Sequence, residues 1–311
     1  MYLAKRMKWF VVAACLLVAV SCLPVLDVRG FAWAENLVFD GQGNLFVSDT
    51  TTGILYRIYL SADKLSYRKD EHVAAGSFNK INGLAISADG STVYAVAELT
   101  SDKNPYLVSI PTTITNTFTP LIQTPRLGNG LAFNPTANVF YTTNEGDFIP
   151  GNGIVYLIDL NANTTSTADS IIEGADGCTI DLVNNRLYIT EVLKGDVIQY
   201  EIRSDNSLRR QNNFNVPGIG KLDDITLSAD GTQLYGADYE NGTISVFNAD
   251  GSSTAPVILM DSLVNPTAVK FATGPDFNST TVFVTEGGGF FAFRRDRKVL
   301  QSPYALGIAT F

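Results

Sequence analysis

The chain has 311 residues, enough for one large closed domain or two ordinary ones. Apolar residues make up 45% of it and charged residues only 17%, which is typical of a β-rich protein with a sizeable core. The formal net charge of −9 argues against a nucleic-acid partner, because neutralising phosphates requires clustered Lys and Arg.

The first segment of the chain has the composition of a secretory signal. Lys5, Arg6 and Lys8 precede an uncharged run, Trp9–Val20, that is short for a membrane-spanning helix. We therefore expect a signal peptide over residues 1–22, secretion or periplasmic export, and no membrane span.

Two cleavage positions compete in this region. Ala32-Trp-Ala34 has the small-x-small form of a signal-peptidase site. Ala19-Val-Ser-Cys22 lies closer to the apolar run and resembles a weak bacterial lipobox, so Cys22 is a candidate lipid anchor if the host is bacterial.

A sequence unit then recurs at a nearly constant spacing. Each unit has a short strand pattern, a turn and a second strand pattern, as in Glu35-Asn-Leu-Val-Phe-Asp-Gly-Gln-Gly-Asn-Leu-Phe-Val-Ser-Asp49. Successive units begin 47, 47, 47, 47 and 43 residues apart, at Glu35, Asn82, Asn129, Asp176, Asp223 and Pro266. A period in this range, made of all-β units, predicts propeller blades.

The repeats predict an all-β fold, a six-bladed β-propeller of four-stranded antiparallel blades, over residues 23–311 of a monomer. The last repeat lacks a fourth strand of the usual kind, so we expect an N-terminal strand at residues 24–28 to close the ring and remove an open sheet edge. Cleavage after Ala34 would delete that strand, which favours the earlier position. In the alternative, Lys298–Gln301 supplies the strand and the Tyr304–Phe311 tail packs outside.

The strand directions predict two rings of polar residues at one mouth of the channel. The inner ring begins the first strands and consists of Glu35, Asn82, Asn129, Asp176 and Asp223. The outer ring ends the second strands and consists of Asp49, Glu98, Asn144 or Glu145, Glu191, Asp238 and Glu286. The outer acids have a simpler interpretation as solvated or turn-bonded strand ends.

Converging carboxylates repel and desolvate one another, and a hard divalent cation relieves both effects. Calcium takes about 6–8 oxygen ligands, and the inner ring offers a mixture of carboxylate and amide oxygens. A single histidine and few cysteines argue against zinc or copper. Taken singly, however, each Asn-Gly or Asp-Gly is also an ordinary turn sequence.

Four further sites have structural interpretations. Asp89-Gly90 and Asp230-Gly231 follow first strands and should form turns at the opposite end of the blades. Cys178 is expected to be a buried apolar residue, since no histidine stands near to activate it. His72 falls near an outer strand and is expected to be structural.

The repeats resemble the SMP-30/gluconolactonase/diisopropylfluorophosphatase superfamily of six-bladed, calcium-binding propellers. The resemblance is strongest in Glu35–Asp49, Asn129-Gly-Leu-Ala-Phe and Asp223-Asp-Ile-Thr-Leu-Ser-Ala-Asp-Gly231. It implies one calcium ion in the central channel, held by Glu35, Asn129, Asp176 and Asp223.

The chain also departs from the superfamily pattern. Asp176 stands where Asn is usual, and Asp224 where Gly is usual. We find no obvious counterpart of the Arg that binds sugar lactones, and no histidine near the channel to act as a paraoxonase-like base.

These features lead to an expected function: an exported, calcium-dependent hydrolase of a lactone or related ester, with a small-molecule substrate. Asp223 is the candidate catalytic base or nucleophile. The candidate substrate-binding residues are Asn82, Glu98, Glu145, Glu191, Asp238 and Glu286. The alternative is a non-catalytic propeller that binds a ligand or protein partner, and a strictosidine-synthase-like role is a third option without a distinctive motif.

Overall fold

The structure is a computed structural model that describes residues 27–277, 279–287 and 298–301. Within these ranges the chain consists of β-strands and their connections, with no helix. The described residues accordingly include no helical segment of the length and hydropathy needed to cross a membrane. The predicted all-β class is confirmed.

The strands are short, and most have four to eight residues. In chain order they are β1 (Asp27–Arg29), β2 (Ala34–Phe39), β3 (Asn44–Asp49), β4 (Ile54–Leu60), β5 (Tyr67–Val73), β6 (Phe78–Ile86), β7 (Thr92–Leu99), β8 (Pro105–Pro111), β9 (Thr119–Gln123), β10 (Leu131–Asn134), β11 (Val139–Asn144), β12 (Gly153–Asp159), β13 (Thr164–Ile172), β14 (Ala175–Asp181), β15 (Arg186–Glu191), β16 (Asp196–Ile202), β17 (Leu208–Asn215), β18 (Leu222–Leu227), β19 (Gln233–Asp238), β20 (Thr243–Asn248), β21 (Val257–Met260), β22 (Pro266–Phe271), β23 (Val282–Glu286) and β24 (Lys298–Gln301).

Five antiparallel sheets each contain four strands that follow one another in the chain: β2–β5, β6–β9, β10–β13, β14–β17 and β18–β21. A further sheet has the order β1-β24-β23-β22 and so joins the two ends of the described chain. The first strands of neighbouring sheets contact each other, which places them on the inside.

The strand β1 is the outermost strand of the sheet that joins the two chain ends, where Val28 lies opposite Val299 of β24. It overlaps the predicted N-terminal strand at residues 27–28, while residues 24–26 lie outside the described residues. Lys298–Gln301, the alternative candidate, forms the neighbouring strand, so both segments contribute. The Tyr304–Phe311 tail also lies outside the described residues.

The first and last sheets pack against each other and close the ring. Phe39 of β2 lies edge-on to Phe283 of β23, with ring centroids 5.1 Å apart. The Thr285 hydroxyl donates to the backbone oxygen of Glu35 at 3.0 Å. Apolar clusters of the same kind lie between the other neighbouring sheets, so the core is distributed around the ring. The predicted β-propeller is confirmed.

The turns after two first strands have the predicted form. The Asp89 carboxylate accepts from the backbone N–H of Ser91 at 3.0 Å, and the Asp230 carboxylate accepts from Thr232 in the same way. The glycines that follow both acids have positive φ. The Asp-Gly sequence therefore forms the turn at this end of the blades.

Candidate functional site

Four of the five inner-ring residues occupy irregularities in the innermost strands, and Asn129 lies just before its strand. Strand pairing shifts register between Ala34 and Leu37, Ile81 and Leu84, Ala175 and Cys178, and Leu222 and Ile225. The residues inside these shifts include Glu35, Asn82, Asp176 and Asp223. Extra residues in one strand bend it and re-aim its side chains, so the sequence repeat corresponds to a repeated β-bulge.

Glycines that follow inner-ring residues allow neighbouring innermost strands to approach closely. A Cβ on Gly130 would lie 2.6 Å from the Asp176 carbonyl oxygen, and a Cβ on Gly177 would lie 2.6 Å from the Asp223 carbonyl oxygen. Neither glycine has a positive φ. These Asn-Gly and Asp-Gly sequences are therefore close-packing positions rather than turns, and they hold successive inner-ring residues side by side.

Glu35, Asn129 and Glu145 form one side of the cluster. The Asn129 amide donates to a Glu145 oxygen at 2.6 Å. The pKa of Glu35 is raised from 4.5 to about 7, mainly by burial and further by the charges of Glu145 and Asp224, while hydrogen bonds from Trp33 and Asn129 oppose the rise. Burial also raises the pKa of Glu145. The Asn36 amide reaches the Asn129 backbone oxygen at 3.5 Å, so the first and third repeats meet across the channel.

Asp176 and Asp223 form the other side. Burial raises the pKa of both carboxyls well above the usual range, and the charges of Glu35, Glu145 and Asp224 add to the rise at each. Asp176 is 2% exposed and its Oδ1 atom has no hydrogen-bond partner among the described residues. Asp223 retains partial solvent exposure.

The cluster has the donor chemistry of a hard-cation site. It combines several carboxylates with an amide, it is buried, and it leaves the Asp176 oxygen unsatisfied. Among the described residues, no three His, Cys, Asp or Glu side chains are already drawn together as metal ligands. The residues fit calcium by oxygen chemistry and charge, because a divalent cation would offset both the repulsion and the missing hydrogen bond.

Asn82 and Glu98 are placed differently from the cluster. The Asn82 oxygen accepts from the Thr50 hydroxyl at 2.5 Å, and its amide donates to the Gly128 backbone oxygen at 3.2 Å. A Glu98 oxygen accepts from the Asn79 amide at 3.0 Å. Asn82 thus ties together connections between sheets, and the predicted substrate contacts of both residues stay predictions.

Four of the outer acids hold the backbone just before the first strand of their own sheets. Asp49 accepts from the backbone N–H groups of Ala32 and Trp33, at 2.5 and 3.1 Å. The same arrangement recurs for the remaining predicted outer-ring acids: Glu191 accepts from Glu173 N, Asp238 from Gly220 N and Glu286 from Val264 N. Their substrate-binding roles stay predictions.

In the third repeat the two candidates for the outer ring, Asn144 and Glu145, have different positions. Asn144 donates to the Leu127 backbone oxygen at 2.7 Å and accepts from Gly146 N, as an outer residue would. Glu145 instead bonds to Asn129 in the central cluster. Only the folded chain distinguishes these adjacent residues.

A largely buried ion pair beside the cluster was not predicted from the sequence. Lys270 on β22 donates to Asp224 at 2.6 Å and to the Ile225 backbone oxygen at 3.1 Å. Asp224 is 3% exposed, so its charge is compensated inside the protein. The departure from the superfamily glycine gave a signal at Asp224, but no sequence pattern linked it to a lysine 46 residues away.

Cys178 and His72 have the expected structural surroundings. Burial raises the pKa of the Cys178 thiol to about 12, so the thiolate that a nucleophile requires is disfavoured. The His72 ring is buried on β5, lies 2.7 Å from the Pro111 backbone oxygen through Nε2, and packs edge-on to Phe46.

The fold and the site together define a β-propeller that concentrates buried oxygen donors at one mouth of its channel. The sequence model described as the SMP-30/Gluconolactonase/LRE-like region matches residues 99–287, more than half of the chain. The chain therefore belongs to this family.

Solved structures with similar folds cover most of the chain. A regucalcin from Agrobacterium tumefaciens superposes with a TM-score of 0.67 at 15% identity, over 89% of this chain and 94% of that one. A gluconolactonase from Xanthomonas campestris gives 0.66 at 15% identity, over 90% and 89%. A luciferin-regenerating enzyme gives 0.65 at 17% identity, over 89% and 94%. At these identities the likeness establishes the fold.

Proposed function

We propose that this protein is a calcium-dependent hydrolase of a lactone or related ester, with one cation at the mouth of its channel. The main support is the buried Asp176 Oδ1 atom, which lacks a hydrogen-bond partner in the middle of an acidic cluster. Family membership supports the reaction class. The superposed regucalcin is described as calcium-binding and another neighbour as a gluconolactonase, which suggests the same cation and substrate class here.

Four side chains would hold the ion: Glu35, Asn129, Asp176 and Asp223. Calcium bound there would polarise a carbonyl and stabilise a developing oxyanion. Asp223 is the proposed base, because part of its surface stays accessible, so a water molecule can reach its carboxylate beside the proposed ion.

The substrate contact that we favour most is Glu145. It lies in the central cluster, whereas Glu191, Asp238 and Glu286 already accept hydrogen bonds from the backbone. Those three acids, like Asn82 and Glu98, already accept hydrogen bonds within the protein. A substrate would have to bind to the acceptor positions that these bonds leave open.

We further propose a six-bladed ring formed by an exported protein, with a signal peptide over residues 1–22 and one domain over residues 23–311. Six four-stranded sheets and the packing of the last sheet on the first support the blade number. Cleavage after Ala34 would remove β1 and also Trp33, which bonds to Glu35, so we favour the earlier site. N-terminal sequencing of the exported protein tests this: a mature chain beginning at Glu35 contradicts it.

The activity is tested by assaying a panel of lactones and esters with calcium, with chelator, and with the variant Asp223→Asn. We expect chelation to abolish hydrolysis and Asp223→Asn to lower kcat by about a hundredfold or more. Asp159→Asn is the control, because Asp159 caps an exposed turn through Asn161 N and should leave activity unchanged. Hydrolysis that survives both treatments rules out the mechanism.

The alternative, a non-catalytic binding propeller, draws support from a chain in a nidogen/laminin complex that shares the fold with a TM-score of 0.59. The chain's only histidine, His72, is buried on an outer strand, so the site has no imidazole base. Calcium-dependent thermal stabilisation without turnover of any substrate in the panel would favour binding over catalysis.

A further inference from the structure

Trp33 is held in place by three independent contacts at the channel mouth. Its indole Nε1 donates to Glu35 Oε2 at 2.5 Å. Its backbone N–H donates to Asp49 Oδ1 at 3.1 Å, and its backbone oxygen accepts from Thr50 N at 3.1 Å. The residue that precedes β2 is therefore bonded at both its main chain and its side chain.

The indole ring also lies against the last sheet. A Cβ on Gly287, which follows β23, would lie 2.6 Å from Trp33 Cε2 and 2.8 Å from Thr267 Cγ2. Only a residue without a side chain fits there, so the ring occupies the seam between the first and last sheets. The same seam is fixed by the hydroxyl of Thr267, which donates to the Ala34 backbone oxygen at 2.7 Å.

We propose that Trp33 is a positioning residue for the cation site: its indole N–H fixes the Glu35 carboxylate, and its ring makes the position of Glu35 depend on closure of the propeller. This rests on the proposed cation site. A buried carboxylate turns about its side-chain bonds unless a donor restrains it, and one charge-assisted bond both orients it and stabilises its ionised form. Trp33 supplies that bond from a neutral group, so it does not repel an approaching cation.

The position of Trp33 also makes it a natural reporter. The chain has two tryptophans, and Trp9 lies in the segment that we assign to the signal peptide. In full-length protein with Trp9→Phe, the emission would come from Trp33 alone. A cation that engages Glu35 should change the charge next to the indole N–H and so change its fluorescence.

The test uses Trp33→Phe, which keeps an aromatic ring but removes the N–H. We expect calcium affinity measured by calorimetry to fall about tenfold, the loss expected for one charge-assisted hydrogen bond. Thermal unfolding of the calcium-free protein measures the cost to the fold separately, because the same hydrogen bond is present there. In the Trp9→Phe protein, calcium should shift Trp33 emission with the same affinity that calorimetry reports.

A matched control removes a different hydrogen bond from the same seam. The Tyr67 hydroxyl donates to the Asp276 backbone oxygen at 2.8 Å, bridging the first sheet to the loop before β23. Tyr67→Phe should leave calcium affinity unchanged. Equal calcium affinity in Trp33→Phe and wild type, or calcium binding that leaves Trp33 emission unchanged, overturns the positioning role alone. A wild-type protein that binds no calcium overturns both this role and the proposed function.

Discussion

The inner and outer acids of the channel mouth differ in how the protein compensates their charge. Asp49 and Asp238 are fully buried, yet each carboxylate accepts several hydrogen bonds, most of them from backbone N–H groups. Asp176 is almost as buried, but one of its oxygens has no partner. The outer acids therefore stabilise the fold, whereas the inner acids weaken it unless something else neutralises them.

Asp224 shows a third arrangement, because its charge is neutralised by a lysine. We expect Lys270→Met to destabilise the protein by about 3–5 kcal/mol, since it leaves a buried carboxylate without its partner. Urea unfolding measures the loss. Combining it with Asp224→Asn should restore most of the stability, and equal losses in the single and double variants would contradict this reason.

The next largest effect concerns an outer acid. Asp49→Ala should lower the free energy of unfolding by about 3 kcal/mol, because it removes a fully buried acceptor and leaves the part-buried N–H groups of Ala32 and Trp33 without it. Asp159→Ala is the control, as it removes a partly exposed acid whose hydrogen bond to the turn is exposed, and it should cost well under half as much. Similar losses in both variants would show that the outer acids are not structural.

The inner acids predict an unusual pH dependence for the calcium-free protein. The pKa of Glu35 is raised from 4.5 to about 7, so the folded state keeps its proton after the unfolded state has lost it. Stability should therefore fall as pH rises from about 4.5 to about 7, by on the order of 3 kcal/mol for Glu35 alone. Asp176 and Asp223 act in the same direction.

Urea unfolding between pH 4.5 and 8 in chelator measures this slope. Saturating calcium should flatten it or reverse it, because a bound cation stabilises the ionised carboxylates. If the calcium-free protein becomes more stable as pH rises from 4.5 to 8, the buried carboxylates of the cluster are not uncompensated, and this interpretation is wrong.

The smallest expected change in stability is an increase, whereas most mutations destabilise a protein. Asp176→Asn removes one charge from the cluster and should stabilise the calcium-free protein by about 1 kcal/mol. The same variant should lose the stabilisation that calcium gives to the wild type. Asp238→Asn, the outer counterpart, should destabilise the protein with or without calcium, because an amide cannot accept the same bonds from Gly220 and Asn241.

Much of the fold could be predicted because it repeats. Each unit places alternating apolar residues and turn sequences in the same order, so every repeat independently predicts the same arrangement of strands. The closing sheet was harder, because β1 and β24 are far apart in the chain and each is short. The sequence indicated both segments as candidates but could not show that they pair with each other.

The candidate site was predictable only in part. The repeat spacing predicted one inner ring, because residues at equal positions in repeated units face a common axis: Glu35, Asn82, Asn129, Asp176 and Asp223. It could not separate Asn144 from Glu145, since a one-residue difference in position depends on the local backbone. It left the outer acids open as turn-bonded strand ends or as substrate contacts, and only the folded chain shows the backbone N–H groups from which they accept.

The sequence by itself determined the all-β repeat, the positions of the turns and the set of oxygen-bearing residues at the channel mouth, since these follow from local pattern and period. Only the tertiary structure decided which acids have partners. Lys270 reaches Asp224, 46 residues away in the chain, because strands β22 and β18 of neighbouring sheets meet on the inside of the ring. The compensation of a buried charge depends on the groups brought around it in space, and the spacing of residues along the chain does not encode that.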